Sequence, residues 1–420
     1  MIALERPDAA GWLQPASHWP ALSAATERLD PVYGVLHLPA LAHNAFDLLE
    51  RAGGVPLRIA SKSLRVREVI DAVLALPGYA GVLAYTLQEA LWLAADEPGR
   101  PGIADVVVGY PTVDRAAIAR LAADEGLASR VTIMVDDVAQ LDLVDAVVAP
   151  GRRAEIRVAL ELDAGFDSRL IGFTGARRSP VHTVAQARAA AEAIAARPGF
   201  RLVGMMSYES QIAGTVDDPK GRPLYARAVR WMQRRSRLEL AERRGAAVAA
   251  VREVAELEFV NGGGTGSVES TAADPAVTDV AVGSGLFGPH LFDHYTRFSP
   301  APAVAFALSV VRRPAPGIAT LMGGGWVASG PPGVDRLPQL VWPQGLAMLP
   351  REMAGEVQTP VSSAAADALR VGDRVWARHT KSGEISEHLD ELVLLDRTGE
   401  GGLGIVGTVP TYRGEGRCFL

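Results

Sequence analysis

Between Leu57 and Gly285, short apolar runs alternate with longer amphipathic stretches. Eight runs have the length and β-branched content of strands. They are LRIAS from Leu57, GVLAY from Gly81, DVVVGY from Asp105, VTIMVD from Val131, EIRVALELD from Glu155, RLVGMMSY from Arg201, LEFVNGG from Leu257 and DVAVGSG from Asp279. The stretches between them space apolar residues at the helical period, as in LRVREVIDAVLAL from Leu64, TLQEALWLAAD from Thr86 and VAQARAAAEAIAARP from Val184. Eight strand-and-crossover units are the count for a closed parallel barrel, so the pattern predicts an α/β fold of the (β/α)8 TIM type. An open doubly wound sheet is the alternative, and the short seventh-to-eighth connection counts a little against closure. Ahead of the barrel, YGVLHL from Tyr33 predicts a strand and PALAHNAFDLLERAGG a helix. After Phe298, Pro-rich loops separate AVAFALSVV, VGDRVWARH, ELVLLD and LGIVGTV, which predicts a smaller C-terminal all-β domain built on hairpins. The expected organisation is an N-terminal segment (1–30) packing on either domain, a barrel (31–300) and a β domain (301–420).

Composition agrees with two folded domains. The chain has 420 residues, 48% hydrophobic and 21% charged, which is too long for one ordinary core and too apolar for disorder. A net charge of −6 with no basic block gives no footing for nucleic acid. No run is long and apolar enough for a bilayer, and MIALERPDAAGW lacks the pattern of a secretory leader. The single cysteine, Cys418, rules out an internal disulfide framework and fits a reducing cytosol. The expectation is a cytoplasmic enzyme.

Lysine usage changes the picture. Of 42 basic residues only Lys62, Lys220 and Lys381 are lysine. Codon bias accounts for the trend, yet arginine cannot act as a neutral amine nucleophile, so each surviving lysine invites a chemical question. In a barrel of this kind the reacting groups follow the carboxyl ends of the strands. In order these are Ser61-Lys62-Ser63, Tyr85, Tyr110, Asp136-Asp137, Asp163 with Arg169 behind it, Tyr208-Glu209, Asn261 to Gly266, and Gly283-Ser284-Gly285. A glycine run alone is a flexible turn. Placed after the seventh strand and paired with GSG after the eighth, it predicts a phosphate cradle. Lys62 ends the first strand at the same rim, whereas Lys220 lies in a polar loop. A cofactor with a phosphate at one end and an aldehyde at the other fits both features, and pyridoxal phosphate is such a molecule.

The same segments carry a resemblance. LRIASKS, ELDAGFDSRLIG, GMMSYES, FVNGGGTGS, VGSGLFG and VGDRVWARH together resemble the fold-type III pyridoxal-phosphate enzymes, over nearly the whole chain. Alanine racemase, D-threonine aldolase and D-serine dehydratase are of this type, and the similarity is greatest to the aldolase and dehydratase branch. The resemblance implies that Lys62 carries the cofactor and acts as a base. It implies Arg169 beside the phenolic oxygen, Tyr208 near the pyridine nitrogen, and Gly263, Gly264, Thr265, Ser284 and Gly285 around the phosphate. It also implies a homodimer and an amino-acid substrate. The bland alternatives are that Arg169 caps a loop by pairing with Asp163 or Asp167, and that Tyr208 is a rim tyrosine. Glu209 bears on the nitrogen only if it points inward.

One segment departs from the branch. Its members usually hold a divalent metal through a histidine followed two residues later by Cys or Asp. Here the stretch reads His379-Thr380-Lys381, and an ammonium has no lone pair to offer a cation. Glu384, Glu387 and His388 follow at spacings that define no site. Without a metal, His379 or Lys381 is a candidate acid/base opposite Lys62, or Lys381 binds a substrate anion. The reading is therefore aldol cleavage or deamination of a D-β-hydroxy amino acid. The alternatives are a racemase, a non-catalytic cofactor-binding protein, and a sugar-phosphate barrel enzyme that uses Lys62 as a plain amine.

Overall fold

The computed structural model describes residues 2–331, 333–381, 383–399 and 402–420. The first strand, β1 (Tyr33–His37), is followed by β2 (Leu57–Ala60), β3 (Tyr79–Ala84), β4 (Val106–Val108), β5 (Val131–Val135) and β6 (Ile156–Glu161). A small hairpin, β7 (Phe166–Ser168) with β8 (Gly172–Thr174), precedes β9 (Phe200–Ser207), β10 (Phe259–Gly262) and β11 (Asp279–Val282). Strands β2, β3, β4, β5, β6, β9, β10 and β11 close into one barrel, parallel at each pairing from β2–β3 to β11–β2. All eight runs expected from the sequence form its staves. The short β10–β11 connection closes because its helix, Val268–Ala272, has only one turn.

The barrel strands are apolar on both faces because helices cover the outside and side chains fill the inside. Val107, Met134, Ala159, Val203, Met206 and Phe259 form one interior cluster. Arg58 on β2 closes the floor, donating to Asp279 at 2.9 Å and Asp105 at 2.8 Å. Asn261 donates to the other oxygen of Asp279, so it belongs to this floor network and not to the rim. The crossover helices start at capping residues. Thr86 accepts from Glu89 N, and Asp137–Gln140 and Thr183–Gln186 form capping boxes. Asp137, a rim candidate by sequence, is therefore a helix cap.

The remaining strands are β12 (Val304–Ala315), β13 (Ile318–Met322), β14 (Gln339–Trp342), β15 (Ala347–Met348), β16 (Gln358–Ser362), β17 (Arg374–Arg378), β18 (Glu391–Arg397) and β19 (Leu403–Pro410). They form a nine-stranded sheet that takes in β1, which pairs antiparallel with β12 and parallel with β18. This corrects the expected boundary at residue 31, because β1 joins the β sheet and not the barrel. An isolated five-residue strand carries no mark of which sheet it enters. The helix Pro15–Ala25 also belongs here. Its Trp19 and Leu22 share a core with Val35, Ala305, Trp376 and Leu395, and Ser23 accepts from Trp376 Nε1 at 2.8 Å. The chain thus divides into a barrel unit (Leu48–Ser61, Leu74–Val282, Phe419–Leu420) and a β unit (residues up to Asp47, Lys62–Val73, Gly283–Cys418). Among the described residues no helix is long and apolar enough to cross a membrane.

The β unit encloses three histidines in neutral form. Burial, and then Arg378, lowers His18 to about 4. Burial, and then His18 and Arg397, lowers His37 to about 3. Burial lowers His379 to about 4 against the opposing pull of Glu384. An unfolded imidazole titrates near 6.5, so acid favours the unfolded chain. Their stabilisation is fully present above about pH 6.5 and is lost as pH falls toward about 4, at a few kcal/mol per group. Melting temperatures taken from pH 7.5 down to pH 4.5 should therefore fall below pH 6.5, and a flat profile would contradict it.

Candidate active site

Lys62 sits in a single 3-10 turn, Ser61–Ser63, immediately after β2. Ser61 Oγ donates to Leu83 O at 3.2 Å and anchors the strand end. Ser63 Oγ meets Ser284 Oγ at 3.1 Å. Ser284 and Gly285 open the short helix Ser284–Phe287 directly after β11. Strand β11 neighbours both β2 and β10 in the closed ring. The turn with Lys62, the GSG segment and the glycine run therefore leave three consecutive staves at the same end.

The segment behind Lys62 is tightly held within the β unit. Arg65 has φ +54, an unusual conformation for a side-chain-bearing residue. Its Nε donates to Lys62 O at 3.1 Å, and it pairs with Glu387. Tyr412 N donates to Arg65 O at 2.8 Å and Ser386 Oγ to Leu64 O at 2.7 Å. This scaffold fixes the backbone of the lysine turn from two sides.

On the barrel unit, the glycine run is built on Glu209. Gly263 has φ +80, and a Cβ there would lie 2.8 Å from Val280, so only glycine fits. Its N–H donates to Glu209 Oε2 at 3.0 Å. Glu209 Oε1 accepts from Ser267 Oγ at 3.1 Å and from Thr271 Oγ1. Arg244 lies 3.6 Å from Glu209 and is held by Asp274 at 2.8 Å. Glu209 points inward, as the sequence left open, but its carboxylate braces the loop. Gly264 N donates to Ser267 Oγ at 3.2 Å, and Arg51 donates to Thr265 O at 2.7 Å. The N–H groups of Gly263 and Gly264 are thus engaged inside the loop.

Tyr208 directly follows β9, beside this loop. A Cβ on Gly264 would meet its ring at 3.3 Å, so the glycine leaves room for the phenol. Burial, then the neighbouring Tyr110 and Glu209, raises Tyr208 to about 12, so it stays a neutral phenol. Glu161, at the end of β6, escaped the sequence reading. Burial, and then Asp136, raises it to about 7, with Arg178 opposing and Asp163 adding. Its signal was a lone acid inside the apolar run EIRVALELD. A group shifted this way is protonated in the fold near neutrality and acts against the histidines in the acid window.

Arg169 is not brought to these groups. It lies in the exposed turn of the β7–β8 hairpin and makes no hydrogen bond or ion pair with a described residue. Its alternative pairings with Asp163 and Asp167 do not form either. Asp163 instead accepts from Gly165 N at 2.8 Å and meets His182 Nδ1 at 3.1 Å. The cation whose charge reaches Tyr208 and Glu161 is Arg178, with its guanidinium 5.7 Å from the Tyr110 ring centroid. His379 is fully buried, edge-on to Phe287, with both ring nitrogens shut off from solvent. The chain leaving β17 carries it into the core, where neither ring nitrogen has a hydrogen-bond partner. Lys381 is partly buried in the next turn, and its N–H donates to Glu384 at 2.6 Å.

Residues 36–289 match the family described as alanine racemase, N-terminal domain, well over half of the chain. The chain belongs to that family. A search of curated proteins returns no match. Among solved structures, this alanine racemase family member is similar to D-threonine aldolase from Filomicrobium marinum. That match has 21% identity and TM-score 0.72, over 92% of this chain and 95% of that one. It is also similar to D-threo-3-hydroxyaspartate dehydratase from Delftia sp. HT23, with 19% identity and TM-score 0.63 over 91% and 97%. Alanine racemase from E. faecalis matches with 16% identity and TM-score 0.55 over 85% and 92%. At these identities the likeness concerns the fold.

Proposed function

We propose that the protein is a pyridoxal-phosphate-dependent lyase acting on a D-β-hydroxy amino acid, by aldol cleavage or by dehydration and deamination. The observation that carries the reading is that Lys62, Ser284 and the glycine run each directly follow, along the chain, one of three adjacent barrel strands. The donor set fits the cofactor: an amine, the hydroxyls of Ser63, Thr265 and Ser284, and a loop that tolerates no side chain at Gly263. Lys62 would hold the aldehyde end, and Thr265, Ser284 and Gly285 the phosphate. When bound, the ring withdraws electrons from the substrate's α-carbon. Tyr208, held neutral, would offer the pyridine nitrogen a hydrogen bond without protonating it. Lys62 would hold or return the α-proton. Glu161 would supply a buried carboxylic acid at the same rim. Arg178, also exposed but near enough for its charge to reach Tyr208 and Glu161, would supply a cation there.

Enclosure of His379 leaves Lys381 as the second base that racemisation would need opposite Lys62. The enzyme is proposed to act in the cytoplasm as a homodimer. Incubating the holoprotein with a panel of D- and L-amino acids tests the reaction. The expected products are an aldehyde with glycine, or a keto acid with ammonia, from D-β-hydroxy substrates. Interconversion of alanine enantiomers with neither product would instead establish a racemase.

A further inference from the structure

We propose that this chain works without a divalent metal and that the ammonium of Lys381 takes the ion's place beside the substrate; this rests on the cofactor-dependent reading above. The loop that would supply ligands does not fit one. His379 is buried with neither ring nitrogen hydrogen-bonded, so it offers at most one ligand. The position two residues on carries a cation that repels another. The neighbouring acids are engaged elsewhere. Glu384 Oε1 accepts from the N–H groups of Thr380 at 3.0 Å and Lys381 at 2.6 Å, and Glu387 pairs with Arg65. His388 lies flat on Trp326, with centroids 5.0 Å apart and planes 3° from parallel. Among the described residues no group of three or more His, Cys, Asp and Glu side chains gathers as a metal site.

The same loop is nevertheless brought to the reacting lysine. A Cβ on Gly383 would lie 2.3 Å from Lys62 O and 2.8 Å from Arg65 Nε. Gly383 is therefore pressed against the backbone of Lys62, and Lys381 is two residues away along the chain. The two hydrogen bonds to Glu384 fix the backbone from which the ammonium extends. An ammonium gives three donors and a full positive charge, enough to hold a hydroxyl or carboxylate oxygen of the substrate.

Metal analysis of the holoprotein before and after dialysis against EDTA, with calorimetric titration of Mn2+ and Zn2+, tests the idea. The expected result is no stoichiometric ion, flat titrations, and turnover of the panel's best substrate unchanged by chelator. Lys381→Ala should lower kcat/KM at least about tenfold, the scale of a lost hydrogen bond to a charged group, with the visible cofactor band intact. Lys381→Arg should recover part of that loss. One ion per chain, removed by EDTA with turnover and restored by re-addition, would overturn the proposal. So would full activity of Lys381→Ala. Absence of the visible band in the wild type would count against the cofactor reading itself.

Discussion

Replacing Lys62 with alanine or arginine is expected to remove the visible absorbance of the holoprotein and to lower turnover by at least about a thousandfold, the scale of removing a group that acts on the reacting atoms. Alanine removes the amine. Arginine keeps the charge but offers no neutral amine, so it should fail equally. Neither change should unfold the chain. The turn is held through backbone groups, by Arg65 to Lys62 O, Ser386 to Leu64 O and Tyr412 to Arg65 O. Unaltered melting of the cofactor-free variants checks this. Lys220→Ala is the control, because Lys220 lies exposed in a turn. Borohydride reduction of the wild type should fix the label on Lys62. A Lys62→Ala variant that stays yellow and active would refute the assignment.

Glu209→Ala should cost about 3–5 kcal/mol, the usual loss when one partner of a buried charged network is removed. The deletion strands Gly263 N–H and the hydroxyls of Ser267 and Thr271, all buried, and takes a carboxylate from beside Arg244, which Asp274 still holds. At a few degrees per kcal/mol, the melting temperature should fall by roughly 10 °C. Because the same carboxylate sets the glycine run, cofactor affinity should fall as well, measured by titrating the cofactor-free protein. Glu209→Gln keeps one acceptor but faces a donor with a donor, so it should lie between. An unchanged melting temperature in Glu209→Ala would show that the carboxylate does not carry the loop.

Part of the candidate site was legible because its chemistry is local. Lysine stands out in an arginine-rich chain, and glycine runs mark backbone that must turn tightly. Glu161 and Arg178 were not legible. Their surroundings come from neighbours far apart in the chain: Asp136 follows β5, Tyr110 follows β4, and Tyr208 follows β9. Arg169 was misplaced for the same reason. A motif gives an arginine's position along the chain, while the β7–β8 hairpin decides that it ends in an exposed turn.

The sequence alone determined the barrel, because eight apolar runs separated by amphipathic helices leave few ways to bury every strand on both faces. It also determined that Lys62 follows the first stave and that position 381 carries a cation. Tertiary structure decided the rest. The pairing of β1 with β12 and β18 depends on partners about 270 and 360 residues away, which no local pattern encodes. The burial of His379 follows from the packing around β17, and burial holds its imidazole neutral. Glu209 braces the glycine run because donors far along the chain converge on its two oxygens.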